Sequence, residues 1–313
     1  MASNRGVVLA ALFANGAIAV LKFGGFLLTG SPSMLSETYH SISDTGNQVF
    51  LLIGIRFSGK EASRRHPFGY GKAQFFYSFL VAVLLFGIAG WESLKHGIGA
   101  MGGHGGGPAT ATLPVVGTFD AVWVNVVILV GAIGFESYAF VKAHGELRSQ
   151  IDRYGWSGLV EAFRKTSDVT TLTAFTEDAI ALGGAVIALV GVALARITGN
   201  QLYDAVSAAV IGVLLMSFAL ALAWENKRLL LGESVPAAVE SELRATIADR
   251  EGVAHVDRFR SMFVGTGSLL VVADVSFDPG LEAADIDATI DAIEADLRAA
   301  DGRVRYVYVE PEV

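Results

Sequence analysis

The sequence predicts an α-helical membrane protein, with six transmembrane helices followed by a small cytoplasmic α+β domain. Three observations lead there. The 313 residues are 52% apolar and only 17% charged, too few charges to cover a soluble protein with a large core. Long apolar runs recur as far as the stretch Ala221-Leu-Ala-Trp224. Charge is then segregated: residues 233–313 hold 17 Asp and Glu against 7 Arg and no Lys, a balance of −10, so the preceding 232 residues carry +2 of the total −8. An acidic tail behind a near-neutral membrane part argues against nucleic-acid binding. The absence of cysteine excludes disulfides, thiolate metal ligation and cysteine nucleophiles. No signal-peptide signature is expected at the N-terminus, because the apolar stretch after Arg5 is too long for an h-region.

Six stretches are long enough to cross about 30 Å of hydrocarbon. They lie at approximately 6–29, 33–57, 73–98, 119–143, 169–196 and 202–225. Gly30-Ser-Pro32 and Thr198-Gly-Asn-Gln201 read as tight turns, and the Gly-rich run from Met101 to Thr110 as a flexible loop. Arg56, Lys60, Arg64, Arg65 and Lys72 follow the second span. Lys142, Arg148, Arg153, Arg164 and Lys165 follow the fourth, and Lys227 and Arg228 the sixth. The opposite loops hold little beyond Arg196. Positive charge stays inside, so both termini are expected in the cytoplasm.

Between about 144 and 168, Leu147, Ile151, Trp156, Leu159, Val160 and Phe163 recur at near-helical spacing among charges. That pattern suggests an amphipathic helix at the cytoplasmic surface, and Thr166-Ser-Asp168 offers the N-cap of the fifth span. The chain accordingly divides into a membrane part, 1–232, and a tail, 233–313. In the tail, Pro236 to about Arg250 and Asp285 to Ala300 read as helices. His255–Met262, Ser268–Phe277 and Val304–Glu310 read as strands, with Gly265-Thr-Gly267 as a turn. The order αββαβ gives a ferredoxin-like domain with a three-stranded sheet.

The candidate chemistry lies inside the spans. His40 and Asp44 stand four residues apart on one face of the second span, an imidazole and a carboxylate that make half of a tetrahedral cation site. A helix-packing hydrogen bond between them is the plainer alternative. Asp178, with Glu177 beside it, sits one to two turns into the fifth span and is the opposing carboxylate. Adjacent residues point about 100° apart, so the two cannot face one site equally, and Glu177 is either a fourth ligand or proton carrier, or a cap-region carboxylate. Glu37, a turn before His40, either lines an access path or snorkels; Asn47 and Gln48 supply hydrogen bonds around Asp44 or between helices. Lys22, Glu92, Asn125, Glu136 and Asp204 read as packing, snorkelling or capping residues, and Lys95 and His96 as interface anchors. His66 and His104 are lone loop histidines.

Taken in order, these features resemble the cation diffusion facilitator family of divalent-metal transporters. The features are the six spans, Ser-Met-Leu-Ser-Glu-Thr-Tyr-His-Ser-Ile-Ser-Asp in the second, His66-Pro-Phe-Gly-Tyr-Gly-Lys-Ala after it, and the αββαβ tail. The second span followed by Glu-Asp in the fifth is similar to the branch that contains zinc transporter nine. The resemblance implies a homodimeric, proton-coupled exporter of Zn²⁺, or of Mn²⁺, Fe²⁺ or Co²⁺, from the cytoplasm, and not an enzyme. It implies no prosthetic group; the divalent cation is the substrate. His40, Asp44 and Asp178 take the ligand positions, Ala174 stands where the fifth-span His usually lies, and Glu177 or water completes the set. A set with one nitrogen discriminates less sharply among these ions.

The resemblance also implies a loop site reduced to His66 with Ser63 and Tyr70, and a tail in which Asp274, Tyr308 and Glu310 stand at zinc-sensing positions. The tail is then expected to dimerise without a tight zinc cluster, His255 being its sole histidine, and Lys72 to pair with Glu233 or act as a membrane-surface anchor. A prokaryotic cell membrane is the expected location. The reading from another class is a non-transporting, metal-regulated membrane scaffold.

Overall fold

The structure, a computed structural model, describes residues 2–104, 110–113, 117–154, 157–158 and 169–312. Its contacts divide into two compact units, Met1–Ile53 with Ser78–Trp224, and Gly54–Tyr77 with Glu225–Val313.

The first unit is a helix bundle. Helices α1 (Ala2–Thr29), α2 (Pro32–Ser58), α3 (Ala73–Leu84) and α4 (Trp91–Gly99) are followed by α5 (Val122–Tyr154), α6 (Val169–Thr198) and α7 (Leu202–Leu231). Among the described residues, five stretches are apolar and long enough to cross a membrane: Leu12–Thr29, Ala73–Gly102, Val122–Ser149, Phe175–Thr198 and Leu202–Leu231. The sixth, α2, falls short on composition because its face carries Ser33, Ser36, Glu37, Thr38, His40 and Ser41, all buried among the other helices. The apolar helices instead expose Phe13, Leu21, Val127, Val130, Val190 and Leu220, the side chains that lipid covers. Met34, Leu129, Ala188, Val192, Ile211, Leu215 and Phe218 form the inner core.

The structure adds to the expected spans. Past the glycine-rich run, of which residues 105–109 lie outside the described residues, strands β1 (Thr110–Leu113) and β2 (Gly117–Asp120) pair antiparallel, Thr110 opposite Asp120. The third span is not a uniform α-helix. Wide π-type turns occupy Leu85–Gly90 between α3 and α4, and Ala100–His104 after α4; such turns shift side-chain phase by one residue. Finally, α5 runs on past 143 to Tyr154, so the first part of the expected amphipathic helix is its continuation, with Leu147 buried. Trp156, Leu159, Val160, Phe163 and the cap Thr166-Ser-Asp168 lie outside the described residues.

Lipid offers no hydrophobic force between helices, so close backbone approach is what binds α4 to α7. A Cβ on Gly97 would stand 2.5 Å from the Ala209 nitrogen, and one on Gly212 2.5 Å from the Leu94 nitrogen. Gly99 has nothing within 4 Å. Gly97→Leu should therefore lower the unfolding midpoint of the detergent-solubilised protein, whereas Gly99→Leu should leave it nearly unchanged.

In the second unit, α8 (Ala237–Ala248), β3 (Val253–Gly265), β4 (Ser268–Phe277), α9 (Ala283–Ala300) and β5 (Val304–Glu312) reproduce the order αββαβ. Sheet order is β3-β4-β5, antiparallel then parallel, and Gly265 faces Ser268 across the turn. Central β4 sends Leu269, Val271, Ala273 and Val275 into the core at period 2, all fully buried against Leu243, Ile247, Ile293 and Leu297 of the helices. The loop after α2 belongs to this unit: a Cβ on Gly71 would meet the Val264 carbonyl oxygen at 2.4 Å, and Phe68 lies edge-on to Tyr306.

Asp301 links α9 to β5. Its Oδ1 accepts the Arg303 backbone N–H at 2.9 Å, and the Arg303 guanidinium donates to Oδ2 at 2.7 Å. These bonds from Arg303 hold the Asp301 carboxyl below the ordinary aspartate range. A depressed carboxylate contributes stability that is fully present above its unfolded pKa and is lost as pH falls through the folded one. Asp301→Asn should cost roughly 0.5–1 kcal/mol at neutral pH, since solvent screens part of the pair. The difference from wild type, read by denaturant unfolding, should shrink as pH drops below about 4.

Candidate metal centre

Ser33 and Asp204 fix the start of α2. Pro32 occupies its first turn without an orphaned N–H, and the Ser33 N–H is capped from α7 by Asp204 Oδ1 at 3.3 Å. Asp204 thus caps across helices, and Asn125 of α5 accepts the Thr29 hydroxyl of α1 at 2.9 Å. With its entry pinned, α2 runs through the bundle with Glu37, His40 and Asp44 on one face.

His40 Nε2 and Asp44 Oδ2 are 3.4 Å apart, with His40 3% and Asp44 16% exposed. Neither ring nitrogen of His40 has a hydrogen-bond partner, an open-donor condition in a buried imidazole. Asp44 lines a cavity of about 10 Å³, room for roughly one water, together with Asn47, Leu85 of the π-type turn, and Glu177 of α6. Asn47 donates to Glu177 Oε1 at 3.3 Å. Asp178 is half-buried and does not line that cavity, though it lies within electrostatic reach of Asp44. Gln48 leaves its buried Oε1 without a partner. The donors therefore stand as two pairs on two helices, His40 with Asp44 and Glu177 with Asp178. Among the described residues no three His, Asp or Glu side chains stand close enough together to hold a metal ion.

For Glu37 and Lys22 the structure removes one of the expected alternatives, snorkelling. Lys22 Nζ of α1 donates to Glu37 Oε2 at 2.7 Å, and both side chains are 0% exposed. A buried pair broken on one side strands the other charge at a cost of about 3–5 kcal/mol. A lone Lys midway along an apolar span was the available signal, since such a charge needs a partner. Glu136 of α5 is also buried, within electrostatic reach of Asp44, Lys22, His40 and Glu37.

Elsewhere, Glu92 and Lys95 of α4 form an exposed pair, and the His96 ring meets Phe26 edge-on. In the loop after α2, the three reduced-site residues do meet: Ser63 Oγ lies 3.3 Å from the Tyr70 hydroxyl, and the His66 and Tyr70 rings are 4.2 Å apart. That cluster is exposed and offers one nitrogen. Asp274 sits opposite Glu310 on the sheet and 3.8 Å from Arg258, while Tyr308 is exposed. Lys72 does not pair with Glu233. It donates to the Leu230 carbonyl at 3.4 Å, and Glu233 pairs with Arg228.

One buried imidazole and several half-buried carboxylates on α2 and α6 are the nitrogen and oxygen donor types that borderline divalent cations take. Residues 8–231 match the family model of the cation efflux transmembrane domain. The human protein named proton-coupled zinc antiporter SLC30A9, mitochondrial, is 30% identical over 272 residues, 87% of this chain and 46% of that protein. Metal tolerance protein C4 of Arabidopsis thaliana is 26% identical over 277 residues, 88% of this chain and 57% of that one. Magnetosome protein MamM of Paramagnetospirillum magneticum is 32% identical over 88 residues, 28% of each chain. This chain thus spans about half the length of the first two relatives. It is a multi-pass membrane protein that belongs to the cation diffusion facilitator family, on the branch that includes SLC30A9.

Proposed function

We propose that this protein exports a divalent cation, Zn²⁺ foremost, from the cytoplasm in exchange for protons, by alternating access and as a homodimer in a prokaryotic cell membrane. Both termini are then cytoplasmic. The observation that carries this reading is the His40–Asp44 pair on the polar helix α2, with His40 buried and Asp44 sharing a cavity wall with Glu177. In this mechanism the cation draws the α2 and α6 pairs together, with His40, Asp44 and Asp178 as ligands and Glu177 as the fourth. Ligands bind deprotonated, so loading the cation releases protons, and reprotonation on the far side expels it. A larger cavity of about 280 Å³, lined by Ser31, Asp120, Asn125, Arg196 and Asp204 among others, provides the outward vestibule.

The relatives' names support zinc and proton coupling. The oxygen-rich donor set, with Ala174 in place of a second imidazole, favours the related reading in which Mn²⁺, Fe²⁺ or Co²⁺ is also carried.

In proteoliposomes holding a pH-sensitive dye, wild type should move Zn²⁺ with counter-moving protons, and Asp44→Ala should abolish flux while remaining folded. Full transport by that variant would sink the site assignment. Zn²⁺ binding without flux in wild type would favour the scaffold instead. Glu177→Gln should shift relative flux among Zn²⁺, Mn²⁺, Fe²⁺ and Co²⁺ if Glu177 is a ligand; an unchanged ranking would remove it from the set.

A further inference from the structure

We infer that Glu37 is a further ligand for the transported cation, and that Lys22 is a tethered ammonium competing with the cation for it. The inference rests on the transport reading above and adds a station to it.

Glu37, His40 and Asp44 follow one another at intervals of three and four residues, so one helix face carries all three. Glu37 stands about 10 Å from Asp44 along α2, at 1.5 Å per residue, toward the Pro32 end. One of its carboxylate oxygens is taken by Lys22 at 2.7 Å. The other, Oε1, is buried without any hydrogen-bond partner, as are both nitrogens of His40 one turn away. Two neighbouring buried groups with unused lone pairs are rare, because each costs its desolvation unless something pairs with it.

Gly184 of α6 makes room for that free oxygen. A Cβ at residue 184 would stand 2.7 Å from Glu37 Oε1, closer than real contacts allow, and Oε1 is the atom nearest to it. The carboxylate is therefore lodged against α6 backbone by a position that lacks a side chain.

Lys22 explains how a carboxylate persists at zero exposure, since the pair is neutral as a whole. It also explains how a cation could leave. A divalent ion passing from the His40–Asp44 pair toward the Pro32 end meets Glu37 with twice the charge of an ammonium, and displaces it from Oε2. When the ion moves on, Lys22 remains tethered within reach and closes over the carboxylate, opposing return. Glu37 and His40 then form an oxygen–nitrogen station for the same borderline cation.

The test titrates Zn²⁺ alone into the purified full chain at fixed pH, comparing Lys22→Gln, Glu37→Gln, the double variant Lys22→Gln/Glu37→Gln, Gly184→Ala and Asp44→Asn. Elution profile and melting temperature report folding separately. The double variant is decisive, because it removes one charge of each sign and leaves the local charge unchanged. If Glu37 is a ligand, the double variant should bind Zn²⁺ about tenfold more weakly than wild type, and Lys22→Gln alone about tenfold more tightly. Wild-type affinity in the folded double variant would make the pair purely structural and overturn the inference.

Gly184→Ala displaces Glu37 without altering any charge and should also weaken binding. If the double variant fails to fold, unchanged affinity in Gly184→Ala overturns the inference in its place. Asp44→Asn separates the two levels. Its loss of binding beside an unaffected double variant removes only the Glu37 station, whereas wild-type affinity in Asp44→Asn removes the transport site itself.

Discussion

The covering of α2 is the constraint on which the membrane unit depends. Hydrocarbon satisfies no polar group, so a helix bearing Ser33, Ser36, Glu37, Thr38, His40 and Ser41 must be wrapped by protein along that face. The other helices meet this demand with small side chains at their close contacts, and turn many large apolar side chains outward. Ala185, Ala188, Ala205 and Ala208 are almost fully buried, beside a core of Leu129, Ile211, Leu215 and Phe218. Within that wrapping, Lys22 neutralises Glu37 from α1 and Asp204 caps the helix start from α7. Three helices thus hold α2 by specific polar contacts or close backbone approach, counting α6 at Gly184.

The two units are stabilised by different physics. The αββαβ unit is an ordinary hydrophobic sandwich in which period-2 side chains of β4 meet two amphipathic helices. In the bundle, water is not the competing solvent, so packing rests on close approach at Gly97 and Gly212 and on buried polar pairs. The π-type turn at Leu85–Gly90 belongs to the same economy of space: it carries Leu85 to the wall of the cavity that Asp44 and Glu177 share.

The sequence made the architecture largely readable, because hydropathy and lysine and arginine placement act locally along the chain. The spacing of His40 and Asp44 was readable for the same reason, being fixed by one helix. What escaped it was tertiary. Nothing local to Lys22 or Glu37 shows that α1 and α2 lie side by side at that depth, so snorkelling stood open for both beside the packing and access-path readings. Gly184 resembled any small residue in an apolar span until Glu37 was found against it. The length of α5 was misjudged because charged residues past Lys142 read as loop, although Leu147 continues its buried face. The β1–β2 hairpin was hidden by the glycine-rich run before it.

The proposed site, one imidazole with several carboxylates, is tested most directly by X-ray absorption at the zinc edge of the zinc-loaded full chain. The account expects a first shell of oxygen donors with a single imidazole, and loss of that imidazole signal in His40→Ala. Two or more imidazoles in the wild-type shell, or an imidazole signal that survives His40→Ala, would contradict it.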